Sequence, residues 1–243
     1  MRAPIRALGV LTAAGVAALT LGACDVGPRS TFQDESFAAG DITAVRLDVD
    51  SGSVELRGSE DARGATVERT VRHAGDRPGA THRVEDGVLL LGGCGNDCSV
   101  AYTVDLPAGL PVTGSATAGR ITLGGVGNVE VRTTSGRIEL DGVTGSVEAT
   151  TTNGRIEGRD LAGGGIRART SNGAIALTVS APQDVRAETS NGTIDLTVPN
   201  EPYRVSTKTA NGATDLAVTE STDAEYHLDL TTSNGGITVD TAS

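Results

Sequence analysis

In the stretch Val129-Glu-Val-Arg-Thr133, apolar and polar side chains alternate with a period of two. Val129, Val131 and Thr133 therefore share one face of a strand, and Glu130 and Arg132 the other. The pattern returns as Val147, Ala149, Thr151, as Ile166, Ala168, Thr170, and as Val185, Ala187, Thr189. Each such strand runs into a small polar corner ending in glycine. A second short alternation follows: Ile121 and Leu123, Ile138 and Leu140, Ile175 and Leu177, Ile194 and Leu196, Thr214 and Leu216, Ile237 and Val239. The corner glycines Gly119, Gly136, Gly154, Gly173, Gly192, Gly212 and Gly235 lie 17 to 23 residues apart. A period near twenty marks an array of stacked units. Gly52, in "DSGSVEL", is an isolated earlier echo.

Two architectures fit these strands. Asn-Gly between strands is a strong hairpin signal and would give an antiparallel meander. In a parallel β-solenoid each unit is one coil, and equivalent residues stack about 4.8 Å apart. Only the solenoid gives repeated identity a physical use, because isoleucine then sits on isoleucine and asparagine on asparagine. The expectation is an all-β chain whose residues 117–243 form a parallel β-solenoid. Asn153, Asn172, Asn191, Asn211 and Asn234 would make a structural ladder at the corner, where asparagine and glycine can take a positive φ. Outward residues should pair across coils. Glu148 would lie beside Arg167, and Arg169, Glu188 and Lys208 would form a run of alternating sign. Single coils cannot bury their own apolar face, so the units are stable only as a stack.

Residues 41–116 are also strand-like, but their turns are longer and more polar, as in "HAGDRPGATH". They read as an N-terminal cap continuous with the repeat. At the far end "ITVDTAS" stops on a strand, so that edge is either covered by residues 217–228 or open to a partner.

The first residues depart from all of this. Arg2 and Arg6 precede an apolar run from Ala7 to Leu21, too short and alanine-rich for a membrane span, and Leu21-Gly22-Ala23-Cys24 resembles a bacterial lipobox. Residues 1–23 are expected to be a lipoprotein signal peptide. Cys24 would be the lipidated first residue of the mature chain, and residues 24–40 a flexible tether. Losing Arg2 and Arg6 removes two cations and no carboxylates, which deepens the formal charge from −11 to −13. That acidity argues against nucleic acid as a partner.

Aromatic residues are 2% of the chain and tryptophan is absent, against 33 glycines, so the core must be thin and aliphatic. The two remaining cysteines, Cys94 and Cys98, are expected to form a disulfide in an exported protein, closing a very short loop. The chemistry on offer is sparse. His73, His82 and His227 lack ligand spacing or a nucleophile and read as solvated surface residues, so no metal site or cofactor is expected. "GGCGND" (92–97) matches the start of a calcium-binding repeat in a single copy, where tandem copies are needed. Glu139, Glu157, Asp195 and Asp215 should line one outward face, broken by Ala176, as a weak candidate surface for a cation or for glycan chemistry.

The stretches "LDVDSGSVELRG", "CSVAYTVDLPAGLPV" and "TTSGRIELDGVTGSVEATTTNGRIEG", with the later Asn-Gly coils, resemble bacterial envelope proteins built on β-strand repeats. These form a family of unknown function whose members are labelled adhesins, and the resemblance covers residues 41–243. It implies a β-solenoid at the cell surface and carries over no catalytic residues. The expected function is a non-enzymatic adhesin-like or scaffold protein, lipid-anchored on the extracytoplasmic face of the bacterial plasma membrane. Its partner would be a cell-wall polymer or another envelope protein. The alternatives are a carbohydrate-active or glycan-binding protein using the acidic face, and an accessory to envelope-stress signalling.

Overall fold

The alternation at period two sends one row of side chains inward from every strand, and the corner glycines let each strand turn onto the next. The computed structural model describes residues 29–38 and 41–242 and is built from strands throughout. Five coils follow the expected plan. They are β8 (Val112–Ala118) with β9 (Ile121–Gly124), β10 (Val129–Ser135) with β11 (Ile138–Asp141), and β12 (Val147–Asn153) with β13 (Ile156–Leu161). After them come β14 (Ile166–Asn172) with β15 (Ile175–Val179), and β16 (Val185–Asn191) with β17 (Ile194–Val198). The first strands of the coils pair in parallel into one eleven-stranded sheet and the second strands into another. The fold is a parallel β-solenoid, and its register is the expected one: Ile138 pairs with Ile121 and Ile156, Asn172 with Asn153 and Asn191, and Glu148 with Arg167.

The core is the strip between the two sheets. In the coil of β10 and β11, Val129, Val131, Ile138 and Leu140 are all buried. A third buried row consists of Val126 and Val143, from the turns that lead back to the first sheet, and Leu161, Val179 and Val198, the last residues of β13, β15 and β17. The backbone of those turns is linked as well, Thr144 N donating to Val126 O and Ala162 N to Val143 O. This row closes the side of the solenoid opposite the glycine corner. Periodicity reveals this row at Val179 and Val198, which continue the alternation of their strands, and misses it at Val126 and Val143, which stand in irregular "GGVGN" and "DGVTG" segments.

The N-terminal region departs from the expected cap in two ways. First, β2 (Ala44–Ser51) and β3 (Val54–Ser59) run parallel to β8 and β9, so they are a coil of the solenoid and Gly52 is its corner. The capping strands proper are β4 (Ala65–His73), β5 (His82–Glu85), β6 (Val88–Gly92) and β7 (Cys98–Pro107). Among them β4 runs antiparallel to β7, and β5 antiparallel to β6. Second, part of the expected tether is strand: β1 (Ser30–Ala38) pairs antiparallel with β4 over its full length. Its inward positions are Phe32, Asp34 and Ser36, which are half-buried and mostly polar. What holds it is a charge pair with Arg69 rather than an apolar stripe. Residues 1–28, with the expected signal peptide and Cys24, lie outside the described residues.

The C-terminal coils stack out of sequence order. β18 (Pro202–Asn211) and β19 (Thr214–Leu216) form the outermost coil, followed in the chain by the two-residue β20 (Thr219–Glu220). The last coil, β21 (Tyr226–Asn234) with β22 (Ile237–Thr241), inserts between that coil and the pair β16 and β17. The expected run Arg169, Glu188, Lys208 is therefore interrupted: Glu188 faces Thr231, and Lys208 lies on the far side of Thr231. Burial explains the order. Leu228, Leu230, Ile237 and Val239 are at most 1% exposed in the inserted coil. The outer coil offers Val205, Thr207, Thr214 and Leu216 at the same positions. The more apolar coil takes the doubly covered place. Residues 217–228 cover only the start of the final edge, where β20 meets Pro202 and Tyr203 and Ser221 N donates to Tyr203 O.

Candidate functional site

The repeated corner Thr-x-Asn-Gly carries three ladders. Built on each glycine, a Cβ would stand 1.7 to 2.0 Å from the carbonyl oxygen of the glycine one coil away, from Gly119 on Gly52 through to Gly212 on Gly235. Real Cβ atoms keep more than 3 Å from such an oxygen. The corner therefore demands glycine because the coils approach so closely. Beside it the threonine hydroxyl is buried and donates to a glycine carbonyl of the neighbouring coil: Thr151 to Gly136 (3.1 Å), Thr170 to Gly154 (3.0 Å), Thr189 to Gly173 (2.9 Å) and Thr232 to Gly192 (3.0 Å). At Thr133 the buried hydroxyl has no partner among the described residues.

The asparagines form the third ladder. Asn172 Nδ2 donates to Asn153 Oδ1 (3.0 Å), Asn191 to Asn172 (3.0 Å), Asn234 to Asn191 (2.9 Å) and Asn211 to Asn234 (2.9 Å). All five expected asparagines are brought together, in the spatial order 153, 172, 191, 234, 211. Their backbone is not left-handed: among the described residues only Asp86, Asp97 and Asp160 are non-glycine residues with positive φ. The expectation that asparagine supplies a positive φ is thus replaced by a side-chain role.

The candidate acidic surface is broken up. Glu139 and Glu157 are register neighbours, but Asp195 sits between Ala176 and Thr238, and Asp215 lies beyond Thr238. The glutamates are also neutralised. Arg137 Nη1 is 3.3 Å from Glu139 and 3.9 Å from Glu157, Arg155 is 3.0 Å from Glu157, and Thr122 donates to Glu139 at 3.2 Å. They project side by side from one sheet face, whereas a glycosidase pair flanks its bond from two sides with one carboxyl protonated. A shallow groove of about 450 Å³ runs over this face from Glu55 to Arg159.

The opposite sheet face carries a larger groove of about 560 Å³ along the solenoid axis, from Thr113 and Glu130 past Arg167 to Asp184 and His227. Its charges are mostly engaged within the face: Arg132 with Glu148 (3.0 Å) and Arg186 with Glu188 and Asp229 (2.5 and 3.5 Å).

The densest polar cluster lies in the cap and was not visible in the sequence. Arg69 is buried and bidentate to Asp34, Nε to Oδ1 at 2.5 Å and Nη2 to Oδ2 at 2.8 Å, and its Nη1 donates to Gly79 O and Thr81 Oγ1. Arg77 stacks on Phe32 at 3.8 Å from the ring centroid. The Arg69 guanidinium holds the Asp34 carboxyl below the usual carboxylate range. His82 Nε2 is 2.7 Å from Ser36 Oγ while its buried Nδ1 has no partner among the described residues, and burial with the nearby Arg69 charge lowers its pKa. His73 is likewise buried, its ring edge-on to Phe32. Both therefore depart from the solvated histidines expected. Tyr102 OH is 2.8 Å from Gly92 O and 2.9 Å from Thr81 O, and burial pushes its pKa up.

Cys94 and Cys98 are joined as a disulfide with Cα atoms 5.7 Å apart, at the entry to β7. No cluster of three or more histidine, cysteine or acidic residues suited to a metal ion occurs among the described residues.

Several solved bacterial structures align along most of the chain at low identity. A "putative cell adhesion protein" from Clostridium sporogenes is 11% identical, with 88% of this chain and 100% of that one covered and a TM-score of 0.42. For a "putative adhesin" from Parabacteroides merdae the values are 12%, 90%, 98% and 0.44. For one from Parabacteroides distasonis they are 13%, 86%, 97% and 0.45. No protein of curated function matches the chain. The family model described as Toastrack DUF4097 matches residues 111–243, which hold the glycine, threonine and asparagine ladders from Gly119 onward. With more than half its length matched, the chain belongs to the Toastrack DUF4097 family.

Proposed function

We propose that this protein is a non-enzymatic, adhesin-like binding or scaffold module. A lipid on Cys24 would hold it at the extracytoplasmic face of the bacterial plasma membrane, where it would contact a cell-wall polymer or another envelope protein. The observation that carries this reading is the mutual neutralisation of the outward side chains. Arginine and carboxylate pairs run from coil to coil on both sheet faces, as in Arg137 with Glu139 and Glu157 and Arg169 with Glu188. Such faces are broad, rigid and chemically quiet, suited to contact rather than turnover. The position of β1 adds to it. With Ser30–Ala38 docked on β4, only five residues separate Cys24 from the folded body, so a lipid there would hold the cap end against the membrane.

The test has two arms. The full-length protein should take up labelled palmitate and fractionate with membranes, and Cys24→Ser should abolish both. Purified protein should cosediment with isolated cell wall or be retained by a defined envelope protein. Turnover of any member of a glycan panel that is lost in Glu139→Gln with Glu157→Gln would overturn the non-enzymatic reading. A Cys24→Ser protein that remains membrane-bound would overturn the anchor.

A further inference from the structure

The outer coil of the solenoid ends in three unfinished ladders on one open edge. In the inner coils, backbone groups of the first strand point to the next coil, as when Val129 N donates to Ser146 O and Gly136 N to Asn153 O. By the same register, Val205, Thr207, Thr209 and the Gly212 N–H face outward beyond β18, where β20 covers only Pro202 and Tyr203. The asparagine ladder stops at Asn211, whose Nδ2 is used on Asn234 and whose Oδ1 accepts nothing among the described residues. The threonine ladder stops at Gly212, whose carbonyl receives no hydroxyl among the described residues. Lys208, the only lysine of the chain, stands on the outward face of β18 without an ion pair among the described residues.

We propose that this edge is a strand-addition site for an extended acidic peptide segment of a partner protein. The register specifies the segment. A carboxylate must lie opposite Lys208, a threonine one residue later to reach the Gly212 carbonyl, and an asparagine two residues after that to donate to Asn211 Oδ1. Backbone pairing with β18 supplies the affinity, and these three side chains supply the selection. Lysine on an open edge opposes casual pairing, and here it also sets the sign of the accepted partner. The site deepens the adhesin-like reading without depending on the lipid anchor, so failure of one leaves the other standing.

The chain itself provides a probe. A peptide of residues 185–196, "VRAETSNGTIDL", places its glutamate, threonine and asparagine at the required positions. Fluorescence anisotropy of the labelled peptide with the intact protein should show saturable binding. Replacing the peptide's glutamate with lysine, or Lys208→Glu in the protein, should weaken it about five-fold, near the top of the range for an exposed ion pair. Combining both reversals should restore it. The proposal is overturned if binding is absent into the millimolar range, or if it is insensitive to the reversals. It is also overturned if sedimentation shows the edge already filled by a second copy of the chain.

Discussion

Gly173→Ala should damage the solenoid far more than its size suggests. The added methyl carbon would sit 2.0 Å from the Gly154 carbonyl oxygen, at least 1 Å inside any contact that real Cβ atoms make. Coils are stacked only about 4.8 Å apart, so relief of the clash must open the joint between them. That joint holds the Thr170 hydroxyl bond to Gly154 (3.0 Å) and the Asn172 bond to Asn153 (3.0 Å). Losing two such bonds costs about 1 kcal/mol each, and the residual overpacking adds about 1–3 kcal/mol. The expected total is about 3–5 kcal/mol, or a fall in Tm of roughly 6–20 °C for a domain of this size. The control is Gly164→Ala, where an added carbon meets nothing within 4 Å. Thermal melts followed by far-UV circular dichroism compare the two. If Gly173→Ala melts within about 2 °C of Gly164→Ala, less than the smallest shift expected, close approach is not what the corner selects.

Other perturbations test the remaining ladders and the two ends. Asn191→Leu removes a donor to Asn172 and an acceptor for Asn234, and should cost about 1–2 kcal/mol in urea unfolding, while Ala176→Ser on the open face should fall within about 0.5 kcal/mol of wild type. Acid should loosen the docking of β1 in two steps. His82 has a lowered folded pKa, so folding favours its neutral form. Its contribution is complete above the unfolded value near 6.5 and declines as pH falls below it. Asp34, also lowered, contributes fully above about 3.9 and loses that contribution as pH falls through its folded value. Hydrogen exchange of the β1 amides, followed from neutral pH down into the carboxylate range, should show both steps, and His82→Gln should remove the upper one alone. Asp34→Ala should take from Arg69 its charged partner and loosen β1, at about 1.5–3 kcal/mol for hydrogen bonds between charged groups, read as loss of protection in residues 30–38. Finally, a chain ending at residue 225 should bring β18 directly onto β16. With Glu188→Cys and Lys208→Cys introduced together, the new thiols should then crosslink in the truncated chain and not in the full-length one.

Much of the solenoid can be read along the chain because stacked identity is a local signal with a global cause. Ile138 over Ile121 and Glu148 beside Arg167 follow from position in the repeat alone. The same logic fails where neighbours in sequence are not neighbours in space. Nothing in "VSTKTA" states that Leu228 and Leu230 will slip beneath it. The available hint is Thr207 and Thr214, polar at places where inner coils carry alanine and isoleucine. β1 is illegible for another reason. Its half-buried row holds aspartate and serine, and the arginine that makes burial of the aspartate tolerable lies 35 residues away. The histidines are obscured similarly, since His73 and His82 owe their burial to Phe32 and Tyr102 in strands remote from them. For the acidic surface, composition suggests a site and register divides it.

The displaced coil has a consequence in time. The chain is made from its N-terminus, so residues 202–216 exist before residues 226–241 do. Until the later segment appears, the earlier one has a vacant seat on β16 and β17, with Glu188 waiting opposite Lys208 in the same register. Reaching the finished stack means keeping that seat empty or giving it up. The final assembly step is thus a wedge driven between two placed layers, and the stack cannot be completed until residues 226–241 have been added.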